Sequence, residues 1–593
     1  MSTDTTSSSL VVEVGRRGKL ITGEPYFTPG VPLVLDAKGF GDLERGDLAV
    51  VRAGRGRARV ERRLGSAKRI ENVLEALLVE QGAFAEFEPH EVPEPSLDGR
   101  VDLRDLTTIT IDPETAKDFD DALSFRREPD GIRAWVHIAD VSYFVPAGTP
   151  LDHGAAERAF STYVPGLVAP MLPHDLADDV CSLRPHQDRL CVTVEMPPAG
   201  GPLFYRSVIN SSARLTYGQA ERREAAPEIL EQLELAAEVA TALRRRRFER
   251  GALEITRPEL AFRFEDGRVA DAWLEGELHA HMLVEELMIL ANEHVAAFLA
   301  GRDRQALYRV HERPDPEAIA LLLAKLTDLE VPTPPVPKVL TPQAASAFAG
   351  EISHLITEYS EQSGRGREAF SSLVLRALKQ ARYDPRNLGH SGLASSAYCH
   401  FTSPIRRYPD LVVHRVLLDE LGLGDDPVPD DLSELAEHTS AREREAAQIE
   451  YLADDLCLAW LLEDRLQERG WEEPWEGEIT GMIGSGLFVR FGQVFEGFLP
   501  ARRLPGEFFE LNTTGTALAG RRSGRAYRLG DPIAVRVESI ALGEGKVDLA
   551  LAQTRPAAQA SRSAAARQPS ATARAGKKAG ASGARSKRGS RRS

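Results

Sequence analysis

Cysteine is scarce in this chain: four residues, Cys181, Cys191, Cys399 and Cys457, with no CxxC pair. That excludes a disulfide scaffold and a zinc ribbon, and it suits a reducing cytoplasm. No apolar run is long enough to cross a bilayer, so no membrane role is expected. The opening MSTDTTSSSLVVEVGRRGKL lacks a basic stretch followed by an apolar one, and nothing in it argues for secretion. Acidic residues are missing altogether from 555–593, which carry 11 Lys or Arg, so the net charge of −16 divides into a +11 tail and a −27 body. The tail also lacks aromatics and hydrophobic periodicity, and it is expected to be disordered. A basic, flexible tail on an acidic body points to a polyanion partner, because Lys and Arg release counterions from phosphates. A merely solubilising tail is the plainer alternative.

The rest has the composition of an ordinary globular protein, 42% apolar and 27% charged, and 593 residues suffice for several domains. Within residues 1–68, the runs LVVEV, PLVLD, DLAVVRA and RARVERRL, parted by Gly-rich turns, read as a small barrel of the OB or cold-shock type. RIENVLEALLVEQG reads as a helix, and the Pro-rich, acidic EPHEVPEPS closes a connecting segment over 69–96. Residues 97–470 read as one large α+β domain, with strand signals to about 215 and helices at 226–250, 278–300, 315–330, 342–361, 367–382 and 430–468. From Trp475, short alternating runs return, predicting a five-stranded OB barrel over 471–554. Phe488 and Phe491 lie on the strand that faces ligand in such barrels; each is either a stacking surface for bases or a core aromatic.

The densest chemistry is TTITIDPETAKDFDDALSF, with aspartates at 112, 118, 120 and 121. Four like charges within ten residues repel one another unless cations neutralise them. The spacing D-x5-D-x-D-D lacks the Gly and the twelfth-position Glu of an EF-hand. It suits one or two hard cations such as Mg²⁺, which can activate water and stabilise the leaving oxygen of a phosphodiester. The alternative is a solvated acidic turn. Asp120 and Asp121 are adjacent and would point to opposite faces of a strand, so they can share a site only if the backbone turns there. HFTSPIRRYPD places Arg406 and Arg407 just after a Thr-Ser-Pro helix-start signal, where guanidinium groups and free amides can hold phosphate or simply cap a surface helix.

Taken with those motifs, WVHIADVSYFV, STYVPGLVAPMLPHDLADDVCSLRP and ARYDPRNLGHSGLASSAYCHFTSPIRRYPDLVVHR closely resemble the ribonuclease II / ribonuclease R (RNB) family over about residues 97–555. The resemblance implies a central RNB catalytic domain flanked by a cold-shock-like and an S1-type barrel. It also implies a Mg²⁺-dependent, processive, hydrolytic 3′-to-5′ exoribonuclease that acts on single-stranded RNA and releases nucleoside 5′-monophosphates. Asp112, Asp118, Asp120 and Asp121 match the family's metal-holding catalytic aspartates, with Asp120 essential for hydrolysis. Tyr163 matches the aromatic that stacks on the 3′-terminal base. Arg406 matches the arginine that steadies the scissile phosphate, and Arg407 stands beside it as an RNA contact. Glu443 is a candidate further acid. His281, Glu285 and Asn292 either line the RNA channel or brace their helix. A cytoplasmic monomer without a nucleotide cofactor is expected. The chain departs from the family in having room for one cold-shock barrel where well-known members have two. Two rival readings stay open: a catalytically silent RNA-binding protein on the same fold, and a metal-dependent endonuclease or DNA-directed enzyme.

Overall fold

Alternating apolar residues between Leu10 and Ser66 close into a five-stranded barrel. Its strands are Leu10–Arg17, Leu20–Pro25, Leu33–Asp36, Asp47–Arg52 and Ala58–Ser66. Val12, Val14, Leu35, Ala49, Val51 and Val60 fill it, while Val11, Leu48 and Val50 point the other way, onto the helix Ile70–Glu80. This split follows from the period-2 alternation of a strand. The strand Leu20–Pro25 escapes sequence reading because LITGEP is short and carries a glycine and a proline. The computed structural model describes residues 10–552 except 53, 55, 84–86, 254–257, 277, 336–340, 425 and 430. The tail 555–593, expected to be disordered, lies outside the described residues.

The connecting segment is laid along its neighbour. The Tyr143 hydroxyl donates to the Glu94 carbonyl (2.8 Å) and accepts from the Ser96 amide (3.1 Å). Beyond it stands a seven-stranded sheet in the order Ala213–Thr216, Thr108–Asp112, Asp121–Glu128, Gly131–Ala139, Asp188–Met196, Leu203–Asn210, Val101–Asp102. Parallel pairs close its two edges and antiparallel pairs fill its middle. The helices Pro227–Glu249, His279–Ala300 and Tyr408–Glu420 pack against it in one continuous core. Tyr408–Leu418 is an unbroken run of buried residues, so that helix is enclosed on all sides.

Two boundaries move for physical reasons. The helix predicted at 367–382 ends at Ala377, because Leu378 turns extended and Arg382–Asp384 pairs with the strand Tyr308–Val310. The helix expected to begin at Thr-Ser-Pro begins at Tyr408, with Pro409 in its first turn, where a missing amide costs nothing. Arg406 and Arg407 therefore precede the helix.

The helix Ser433–Arg469 is 37 residues long. Its second half, through Ala453, Leu456, Leu461, Leu462 and Leu466, shares one core with the helix Ile70–Glu80 and with residues of both barrels. The C-terminal barrel closes from Trp475–Ile483, Gly486–Phe491, Phe495–Pro500, Pro532–Ala541 and Lys546–Leu551. A three-stranded flap, Phe509–Leu511, Ala517–Gly520 and Ala526–Arg528, is inserted in it. The Asp328 carboxylate anchors this flap by accepting from Asn512 Nδ2 and Thr514 Oγ1, both at 2.8 Å, and from Thr516 Oγ1.

Candidate active site

The four aspartates occupy the end of one strand, the loop after it and the start of the next. Asp112 ends Thr108–Asp112 and Asp121 begins Asp121–Glu128. Asp120 lies one step before that strand, its carbonyl accepting from the Ala139 amide (2.9 Å). The backbone does turn there, and all four carboxylates line a single cleft of about 1490 Å³. The loop between them is tied down at several points. Phe119 donates its amide to Ser182 Oγ (3.0 Å), whose hydroxyl donates to the Lys117 carbonyl (2.6 Å). Arg214 donates to the carbonyls of Pro113 (2.5 Å) and Glu114 (3.1 Å) while its guanidinium lies over the Phe119 ring.

Arg406 and Tyr163 reach the same cleft from a second, interlocked pair of segments. Ser161 donates its amide to the Arg406 carbonyl (3.0 Å), and Tyr408 donates to the Ala159 carbonyl (2.8 Å). The 403–407 loop is fixed from within by the buried Asp410 carboxylate, which accepts from the Ser403 amide (2.8 Å) and from Arg407 Nη2 (2.7 Å). It is fixed to the catalytic wall by the Ile405 amide, which donates to Asp120 Oδ1 (2.8 Å). Arg406 Nε stands 3.5 Å from Asp120 Oδ2, and the Arg406 side chain keeps 44% of its surface exposed. Tyr163 donates its hydroxyl to Asp118 Oδ2 (2.8 Å), and its amide donates to Glu450 Oε1 (2.9 Å). The ring is 37% exposed.

Charge at this wall is undercompensated. Desolvation pushes Asp112 up to about 8, with Asp121 adding to the rise. Desolvation likewise raises Asp121 to about 6 and Asp120 well above the usual carboxylate range, with Arg406 offsetting only part in each case. Asp112 Oδ2 and Asp120 Oδ2 are buried and have no hydrogen-bond partner. A buried, unpaired carboxylate oxygen is costly, and a proton or a cation relieves it. These oxygens fit a hard divalent cation in donor type and in charge. Among the described residues no three His, Cys, Asp or Glu side chains converge into a ready-made cage.

Other expected residues separate into those in the cleft and those behind it. His281 and Glu285 line the cleft, His281 against the Tyr217 ring at 4.0 Å and Glu285 against Arg247 at 3.3 Å. Asn292 is a brace instead: it donates to the Tyr398 hydroxyl (3.1 Å) and accepts from the Phe401 amide (2.9 Å), which steadies the segment leading to Arg406. Glu443 pairs with Arg309 at 2.6 Å. Arg407 does not stand beside Arg406 in the cleft, because its guanidinium turns back onto Asp410. Phe491 is a correction: at 1% exposure it packs among Trp475 and Phe495 inside the barrel, while Phe488 lies on the other face, against Phe498. Residues 488 and 491 are an odd number apart, so a strand cannot present both to one ligand. Tyr217, Arg214 and Glu450 were missed. Nothing local marks Arg214 or Glu450, since each acts through a fold-made contact; Tyr217 follows the helix-start signal T-Y-G-Q, which reads as a cap and nothing more.

The RNB domain profile matches residues 100–422. Ribonuclease R of Escherichia coli is 37% identical over 494 residues, which cover 78% of this chain and 58% of that protein. This chain thus spans under two thirds of that relative's length. Mycoplasma genitalium RNase R in complex with ribose-methylated single-stranded RNA superposes with a TM-score of 0.81 at 23% identity, covering 92% of this chain and 90% of that one. Yeast Ssd1, a pseudonuclease, superposes with a TM-score of 0.62 at 18% identity, covering 86% of this chain and 67% of that one. At such identities the two structures speak for the fold alone, and one of them belongs to a pseudonuclease. The profile match extends over more than half the chain, from the first edge of the seven-stranded sheet to the end of the buried helix behind Arg406, and the chain belongs to the RNB domain family.

Proposed function

We propose that this chain is a processive, Mg²⁺-dependent exoribonuclease that hydrolyses single-stranded RNA from its 3′ end, releases nucleoside 5′-monophosphates, and serves RNA decay and turnover. The observation that carries the reading is the joint placement in one cleft of two buried carboxylate oxygens without a hydrogen bond, the exposed Arg406 guanidinium and the exposed Tyr163 side chain.

Asp112, Asp118, Asp120 and Asp121 are the residues that would hold the ion. Bound there, Mg²⁺ supplies a water made nucleophilic near neutral pH and neutralises charge on the leaving oxygen. Arg406 places a fixed guanidinium beside the phosphate to be cut, so its charge is already aimed where negative charge builds up. Asp120 orients that loop through the Ile405 amide, which couples the carboxylate wall to the arginine. Tyr163 offers its ring face to the terminal base, and its bonds to Asp118 and Glu450 hold the ring still. Stacking the last base against a fixed ring sets which phosphodiester meets the carboxylates, and this is why one nucleotide leaves per cycle.

The test is 5′-labelled single-stranded RNA incubated with Mg²⁺, with EDTA, and beside DNA of the same sequence. Stepwise shortening from the 3′ end, confined to RNA with Mg²⁺, is the expected result. Binding without shortening would make the chain a silent RNA-binding protein on this fold, and internal cuts or equal attack on DNA would make it a different nuclease.

A further inference from the structure

We infer that Trp273 is a second base-stacking residue, on the cleft wall formed by the hairpin Glu259–Glu265 and Arg268–Glu275, and that it positions a nucleobase of the RNA strand other than the one held by Tyr163. The inference rests on the exoribonuclease reading and deepens it.

The hairpin has two unlike faces. Leu260, Phe262, Phe264, Val269, Ala272 and Leu274 pack into the core shared by the two barrels and the long helix. On the other face Ala261, Trp273, Glu259 and Glu275 line the cleft that contains the aspartates and Tyr163. Trp273 stands directly across from Ala261 in the strand pairing. An alanine there leaves the indole face uncovered, and Trp273 stays 42% exposed. Two other tryptophans are covered, Trp135 by Arg126 and Arg133, and Trp475 by Phe491, Phe495 and Arg469; Trp471 is exposed as well but does not line this cleft. Among the described residues no ring or guanidinium covers Trp273. A large apolar side chain exposed singly is common on a protein surface. One that is exposed inside a cleft, on a regular strand, with its cross-strand neighbour reduced to a methyl group, is shaped as a platform.

The platform is also rigid. The Gly267 carbonyl at the hairpin turn accepts from the Ile70 amide (3.0 Å). Arg268 reaches Asp464 at 2.8 Å, and Arg465 reaches Asp271 at 2.7 Å, which pins the hairpin to the long helix. A stacking surface held this way loses little freedom when a base arrives. Glu259 and Glu275, paired across the hairpin two residues beyond Trp273, repel phosphate, so a strand against this wall presents bases to it and turns its backbone away. Every base has a π-face, so the contact grips the strand without reading its sequence.

The experiment uses the full chain in EDTA with 5′-fluorescein-labelled single-stranded RNAs, each carrying one abasic nucleotide at a different distance from the 3′ end, and reads affinity by anisotropy. Wild type is expected to lose affinity at two separate abasic positions. Trp273→Ala binds intact RNA about five- to a hundredfold more weakly. It becomes insensitive to the abasic nucleotide at one of those positions and stays sensitive at the other. Trp273→Phe restores the sensitivity, which a merely structural role would not do. An abasic profile unchanged by Trp273→Ala, in a wild type that shortens RNA with Mg²⁺, overturns this inference and leaves the exoribonuclease reading standing. A wild type that never shortens RNA overturns both.

Discussion

Asp120 precedes one strand of the sheet and Asp140 follows the antiparallel strand paired with it, so both stand at one end of the sheet, almost fully buried, yet they are treated in opposite ways. Asp140 accepts from Arg100 Nη2 (2.7 Å) and Ser142 Oγ (2.6 Å) and has Arg206 Nε at 3.3 Å. Burial alone would raise its pKa, but the two arginines and the serine pull it below the usual carboxylate value. Asp120 accepts one backbone amide at Oδ1, while its Oδ2 has no hydrogen bond and only the Arg406 guanidinium at 3.5 Å. Its pKa goes up. One region is a completed ion cluster that holds the fold together; the other is held short of completion. On the proposed function, the missing positive charge is what a bound cation would supply.

Substitutions separate the two regions. Asp120→Asn is expected to lower hydrolysis by about a thousandfold or more while RNA binding and thermal stability persist, because it removes a charge the fold does not need. Asp140→Asn is expected to do the reverse. It leaves the buried Arg100 and the partly exposed Arg206 without their counter-charge, which costs up to about 3–5 kcal/mol and lowers the melting temperature. Equal melting losses in both variants would erase the distinction.

Titration sharpens it. In EDTA, a group whose pKa is raised on folding contributes stability at low pH and loses it as pH rises through the folded value. Asp112, at about 8, and Asp121, at about 6, therefore make the metal-free protein less stable between about pH 4 and pH 8. Asp140 has the opposite sign, its contribution being present at neutral pH and lost as pH falls below the ordinary carboxylate range. Melting curves of Asp112→Asn in EDTA are expected to fall less steeply with pH than those of wild type, and a parallel fall would count against the raised pKa. The smallest effect falls on Tyr163→Phe, which keeps the stacking ring and gives up the bond to Asp118. It should cost about 1 kcal/mol in binding the terminal nucleotide, whereas Tyr163→Ala should cost up to about 3, read as affinity for RNAs of different 3′ ends.

The four aspartates and Arg406 stand out in the sequence as compact motifs, and Tyr163 through the resemblance to the RNB family; the structure brings all six to one cleft, and periodicity locates the long helices to within a few residues. It fails where a role is created by distance. Arg214, Glu450 and Asp140 carry no local mark, and their work depends on partners that lie 40 to 287 residues away in the chain. It also fails where one pattern serves two faces: Phe488 and Phe491 look alike until strand parity sends one outward and the other into the core. Arg407 reads as a twin of Arg406 until Asp410, three residues on, claims it.

On the proposed function, the carboxylate wall is left short of positive charge so that it can take up a divalent cation. Titration calorimetry with MgCl₂ near pH 7, repeated in buffers of different ionisation enthalpy, tests it most directly. Carboxyls held protonated in the free protein must release protons as the ion binds, so the measured heat should vary with the buffer. The variation should shrink in Asp112→Asn. Absence of Mg²⁺ uptake, or uptake with a heat that neither the buffer nor this substitution changes, would contradict this reading.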